Sequence, residues 1–170
     1  MNTAVYPGSF DPFTNGHRDI LERALSVFDR VIIAVARNPS KKPLFTFDER
    51  VEIINESMPD TDRVEVRNFH GLLVDFMHKV NSRIIVKGLR AVSDFEFEFQ
   101  MALMNRKIDP EVETVFLMTS SEYAFLSSSK VREISSLGGP VSCLVSPFAQ
   151  KKLREKCKIC DDKGETVEID

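Results

Sequence analysis

The sequence predicts a doubly wound α/β fold: a five-stranded parallel sheet with helices on both faces. Three observations predict it. Short apolar runs alternate with helix-period stripes about five times along the chain. One run, "DRVIIAVARN" (29–38), is apolar without interruption at its centre, as a strand covered on both faces requires. Helix-start signals fall between the runs rather than inside them.

The elements follow in order. "TAVYPG" opens as a strand over Thr3–Tyr6 and is cut short by Pro7-Gly8. Asn15-Gly16 opens a helix whose Ile20, Leu21, Ala24, Leu25 and Phe28 share one face. The second strand lies within 29–38, and "TFDE" (46–49) has the form of a capping box for the next helix. "RVEVRN" (63–68) is a third strand, followed by a helical stripe of Leu72, Leu73, Phe76, Met77 and Val80. "SRIIVKG" (82–88) is a fourth, and "SDFE" (93–96) caps a long helix behind it. "ETVFLM" (113–118) completes the sheet, three serines precede a further helix, and "QKKLREKCK" (150–158) reads as the solvated face of a C-terminal helix. One domain is expected over 1–156, with a tail over 157–170 that has no assigned role.

Composition excludes several function classes. The 170 residues are 42% hydrophobic and 29% charged, with formal net charge −3, an ordinary globular balance without a nucleic-acid footprint. No apolar stretch approaches the ~20 residues of a membrane span, and no secretory signal is visible. The cysteines, Cys143, Cys157 and Cys160, are odd in number and sparse, which suits a reducing compartment, so a cytoplasmic location is expected. Cys157 and Cys160 alone cannot complete a four-ligand zinc site.

In such sheets ligands bind beyond the C-terminal strand ends, here loops 7–16, 37–46, 68–72, 88–93 and 119–129. Gly8 would let backbone approach a ligand, and His17 and Arg18 would put cationic side chains at a helix N-terminus, where an anion such as phosphate belongs. In "FLSSSKVREI" (125–134), three hydroxyls open a helix whose Lys130 and Arg132 repeat that inversion. Lys87 and Arg90 flank Gly88 as a phosphate clamp, to which Lys41 and Lys42 could add. No Walker loop, no GxGxxG, no metal-spaced histidine set and no Ser-His-Asp order accompany them.

"TNGH" after the first strand and "SSSKVR" opening a late helix resemble the signatures of the nucleotidyltransferase superfamily. "YPGSFDPFTNGHRDI", "SKKPLFTFDERV", "KGLRAVSDFEFEFQMALMNR" and "SSEYAFLSSSKVRE" together resemble the phosphopantetheine adenylyltransferase family, nearly colinearly from Tyr6 to about Phe148. The resemblance implies a Rossmann-like sheet and transfer of the adenylyl group of ATP to 4′-phosphopantetheine. The products would be dephospho-coenzyme A and pyrophosphate. It further implies Mg²⁺ held mainly by phosphates and water, no dedicated metal ligands, and a homohexamer. By position, ATP contacts fall on Ser9, Phe10, His17, Gly88, Leu89, Arg90 and Glu98, and on Tyr123, Ala124, Phe125, Leu126, Ser127, Ser128 and Ser129. Contacts to phosphopantetheine fall on Ser9, Lys41, Leu73 and Lys87. His17, Lys41, Arg90, Ser128 and Ser129 would act in catalysis. The sequence departs from the commoner pattern with Ser9 for Thr, Lys87 for Arg and Leu126 for Ile.

The helix after Ser93 carries two apolar stripes, Phe95, Phe99, Ala102 and Leu103 against Phe97, Met101, Met104 and Ile108. One is expected to cover the sheet and the other to pack against a second subunit.

Overall fold

A computed structural model describes residues 2–37, 42–58, 61–90 and 92–157, with backbone alone over 92–94. Five strands, β1 (Thr3–Gly8), β2 (Arg30–Ala36), β3 (Val64–Phe69), β4 (Ile84–Leu89) and β5 (Glu113–Met118), form one parallel sheet in the order β3-β2-β1-β4-β5. The order reverses between β1 and β4, so the sheet is doubly wound and has its ligand crevice there. The register shows how that crevice opens. β1 pairs β2 from Thr3–Arg30 to Gly8–Val35, but pairs β4 only at Ala4–Ile84 and Val5–Ile85. Beyond these two pairs the strands no longer bond, and their C-terminal ends are left to the loops.

Alternate residues of the strands feed two cores. Tyr6, Ile33 and Val35 join Phe10, Phe13, Ile20, Leu21, Phe45, Ile53, Leu126, Val131 and Leu153 on one face. These come from α1 (Asn15–Val27), α2 (Phe47–Ser57), α5 (Ser128–Ser136), α6 (Pro147–Lys156) and the loops between. Val5, Ile32, Ala34 and Ile85 join Val74, Phe76, Met77 and Val112 on the other, under α3 (Leu73–Lys79). The expected box at 46–49 forms: Thr46 Oγ1 accepts from Glu49 N, and Glu49 Oε2 accepts from Thr46 N at 2.7 Å.

Several expectations need correction. In α3 the buried residues are Val74, Phe76 and Met77, while Leu72 precedes the helix and is exposed. The long helix α4 (Val92–Ile108) starts one residue ahead of Ser93, which therefore lies inside it rather than capping it. The sheet covers only part of one apolar stripe of α4, where Phe95 meets Phe116 of β5 at 6.1 Å between ring centroids. Phe99 and Leu103 of that stripe and Phe97 and Met104 of the other are all exposed, Phe97 by 63%. A helix with two opposite apolar stripes needs cover on both, and among the described residues its own domain supplies it along one edge, through α3, β4 and β5.

Candidate active site

The loop from Gly8 to Thr14 is held by contacts that the sequence did not advertise. Phe10 takes a left-handed φ of 48°, and its ring turns back against Tyr6, Phe13 and His17. A Cβ on Gly8 would stand 2.8 Å from that ring. The glycine therefore makes room for Phe10, not for a ligand, which corrects the reading made of it above. Phe10 and Leu126 are both buried.

His17 completes the start of α1 in an unexpected way. Thr14 is the N-cap, with its Oγ1 accepting from His17 N, and His17 Nδ1 accepts from Thr14 N at 3.0 Å. The histidine thus takes the place glutamate holds in an ordinary capping box. With Nδ1 occupied as an acceptor, the ring proton sits on Nε2, at the opposite edge of the imidazole. The ring lies 5.1 Å from Phe10 and 5.5 Å from Phe13, and burial, assisted by the Arg90 charge, pushes its pKa down to about 3. His17 is a neutral donor, not the cation inferred from its helix position. Arg18 is paired with Glu22 at 2.8 Å on the exposed face, so of the two charges read at this helix start only this solvated one remains.

Asp11 ties three segments together. It is buried, and its Oδ2 and Oδ1 accept from Leu44 N and Phe45 N at 2.9 Å each. Arg132 of α5 pairs with Oδ2 at 3.2 Å and also donates to the Asp11 carbonyl. Arg50 Nη1 adds bonds to Ser9 O and Ala36 O, at 2.7 and 3.1 Å. Ser128 Oγ donates to Pro12 O at 2.8 Å. These bonds join the loop after β1 to the end of β2, to Leu44-Phe45 ahead of α2 and to α5. Asp11, Arg50 and Thr14 went unassigned in the sequence. The available signal was the placement of Asp11 between Phe10 and Phe13, where a carboxylate is buried only with partners.

The same contacts revise the serine cradle. Ser127 is the N-cap, accepting from Lys130 N, and its Oγ lies 3.1 Å from Ser129 Oγ. Because the Ser128 hydroxyl proton serves Pro12 O, the first-turn N–H groups of Ser128 and Ser129 are what this helix offers an anion. Arg132 is drawn to Asp11, so its charge at the helix start already has an anionic partner within the protein.

Across the crevice, Arg90 Nη1 donates to Leu126 O at 2.6 Å, joining the end of β4 to the turn at Ser121–Tyr123 that precedes α5. Gly88 lies directly under α1, where a Cβ would stand 2.7 Å from Ile20 Cγ1. Lys87 faces Glu98 of α4 at 3.2 Å. His17, Arg90, Leu126 and the start of α5 thus meet at the switch point, and Ser9 is exposed at its rim. Lys41 lies outside the described residues. Leu73 is half-buried at the start of α3, Leu89 half-buried beside Gly88, and Tyr123, Ala124 and Phe125 lie on the turn before α5, with Phe125 exposed. Among the described residues no group of three or more His, Cys, Asp or Glu could hold a metal ion. No helix among them is long and apolar enough to cross a membrane.

Known proteins resemble the chain at two levels. The cytidylyltransferase-like family matches residues 5–134. A phosphopantetheine adenylyltransferase of Heliobacterium modesticaldum is 59% identical over 156 residues, covering 92% of this chain and 93% of its own. Another, of Clostridium tetani, is 51% identical over 163 residues, covering 96% and 100%. Among solved structures, a Plasmodium falciparum nicotinic acid mononucleotide adenylyltransferase complexed with NaAD superposes at TM-score 0.67 and 16% identity, covering 91% of this chain and 95% of that one. A Francisella tularensis bifunctional NMN adenylyltransferase/ADP ribose pyrophosphatase, complexed with AMP and a manganese ion, superposes at 0.68 and 17%, covering 95% and 53%. At that identity the two structures speak for the fold alone.

Proposed function

The chain belongs to the phosphopantetheine adenylyltransferase family, and on that premise we propose that it transfers the adenylyl group of ATP to 4′-phosphopantetheine. A phosphate oxygen of phosphopantetheine attacks the α-phosphorus of ATP. The bond from that phosphorus to the oxygen bridging to the β-phosphate breaks, and pyrophosphate leaves with the electron pair. The products are dephospho-coenzyme A and pyrophosphate. The nucleophile is already an anion near neutral pH, so the site needs no strong base.

The observation that carries this reading is the neutral, tautomer-fixed His17 at the switch point. A neutral donor fits a site whose work is positioning and charge stabilisation rather than proton abstraction. Its Nε2–H faces the α-phosphate as charge develops there. The Ser128 and Ser129 N–H groups hold the β- and γ-phosphates, and Arg90 neutralises the leaving pyrophosphate. Ser9, Lys41 and Lys87 orient the incoming phosphate, while Gly88, Leu89, Glu98 and the stretch Tyr123–Ser127 surround the nucleotide. Leu73 borders the pantetheine arm.

The donor set is imidazole, guanidinium, ammonium, hydroxyl and N–H, with Glu98 its one carboxylate. Such a set suits phosphates and does not form a protein cage for Mg²⁺. The ion arrives on the nucleotide in this reading, and no step above is routed through it. The exposed α4 supports self-assembly, read here as a homohexamer, and the sparse cysteines support a cytoplasmic setting.

The test is an acceptor panel with ATP, scored by pyrophosphate release. Turnover with 4′-phosphopantetheine and not with nicotinate mononucleotide or glycerol 3-phosphate is expected. Preference for either of the other acceptors would overturn the assignment.

A further inference from the structure

Glu98 is an anion in a site built for anions. Its Oε2 is buried and lies 3.2 Å from Lys87 Nζ, yet receives no aligned hydrogen bond. Both side chains are largely covered, with 23% of Lys87 and 22% of Glu98 exposed. The pair is held by charge proximity alone. Lysine is a point charge on a flexible stem and exchanges such a partner readily. Lys87 stands toward the C-terminal end of β4, past the last residue at which β1 and β4 pair.

We propose that Glu98 is an internal competitor for Lys87, occupying the lysine until the phosphate of 4′-phosphopantetheine displaces it. This rests on the function proposed above and deepens it. The substrate phosphate carries more negative charge than a carboxylate and offers more acceptor oxygens, so it wins the lysine. Pantetheine lacking the phosphate cannot. The ion pair therefore sets a cost on phosphate binding at Lys87, and Glu98 tempers affinity for the phosphorylated arm in addition to any contact with ATP. Its own charge meanwhile opposes the arriving anion.

The test measures binding by calorimetry, without ATP, so that no turnover occurs. The full chain is titrated with 4′-phosphopantetheine and, separately, with pantetheine. In Glu98→Gln the 4′-phosphopantetheine dissociation constant should fall roughly 3–10-fold, the scale of one partly exposed ion pair. Pantetheine binding should not change. In Lys87→Met the same Glu98→Gln substitution should give a distinctly smaller gain, the part due to relieved repulsion alone, because the contested lysine is gone. Lys87→Arg serves as a second background and should restore a gain. Weaker or unchanged binding in Glu98→Gln, or an equal gain with Lys87→Met, would overturn the proposal. A parent chain that binds no 4′-phosphopantetheine would overturn the proposed function as well, which separates the two failures.

Discussion

Replacing His17 with alanine tests the site where structure and chemistry meet. The substitution removes one oriented donor to the transferring phosphate, which is expected to lower kcat by roughly 10²–10³. ATP should still bind within a few-fold, because charge accumulates at that phosphate mainly in the transition state. The variant also loses a structural contact. Thr14 N, which donates to Nδ1 at 3.0 Å, goes unpaired, and the space between Phe10 and Phe13 empties. Together these cost about 2–3 kcal/mol, or a drop in Tm of roughly 4–12 °C. Steady-state kinetics with both substrates varied, beside thermal unfolding, separates the two effects. The pH profile adds a stricter check. With a pKa pushed down to about 3 in the free protein, His17 is neutral throughout the neutral range and contributes no inflection to kcat/KM near the usual histidine value. An inflection near about pH 6.5 that vanishes in the variant would refute the neutral-donor assignment. So would normal turnover, or a defect confined to the KM for ATP. Stability runs the other way from the rate. Between about pH 6.5 and 3 the unfolded chain binds a proton on this ring that the folded chain refuses. The parent should therefore lose about 1.4 kcal/mol per pH unit on acidification through that window, and the alanine variant should lose correspondingly less.

Other outcomes follow from the same contacts. Asp11→Asn keeps one acceptor but leaves Leu44 N facing an amide N–H and strips Arg132 of its counter-ion, so denaturant unfolding should show a loss of about 2–4 kcal/mol. If Asp11 organises all three segments, the KM of both substrates rises in that variant, and an unchanged denaturation midpoint would contradict the arrangement. Gly88→Ala drives a Cβ into Ile20 Cγ1 at 2.7 Å and should cost about 1–3 kcal/mol, with a less than additive loss when it is combined with Ile20→Ala, which removes that atom. Because α4 exposes both apolar stripes, light scattering at micromolar concentration should return an oligomeric mass, and a monomer would count against the assembly.

How far the sequence disclosed all this depends on the kind of signal. Alternating runs announced the sheet because burial on both faces leaves an uninterrupted apolar segment such as Val31–Val35. Thr46–Glu49 announced a helix start because a capping box is local chemistry. The histidine version at Thr14–His17 was overlooked because imidazole rarely fills the glutamate role, and its burial comes from Phe10 and Phe13 folding over it. The charge argument at α1 failed for the same reason, since neutrality is set by tertiary packing that charge counting omits. The Asp11–Arg132 contact spans 121 positions, and no spacing rule reaches that far. The loops that meet at the crevice were legible from topology, whereas the use of Gly8 and Gly88 by neighbouring side chains was not.

The most direct measurement follows the phosphorus atoms. The chain is incubated with 4′-phosphopantetheine and ATP labelled either at the α- or at the γ-phosphate, and the products are separated. Adenylyl transfer predicts α-label wholly in dephospho-coenzyme A and γ-label wholly in pyrophosphate, at equal rates. Label from the γ-position in a phosphorylated acceptor, or release of the α-label only as AMP, would contradict the account.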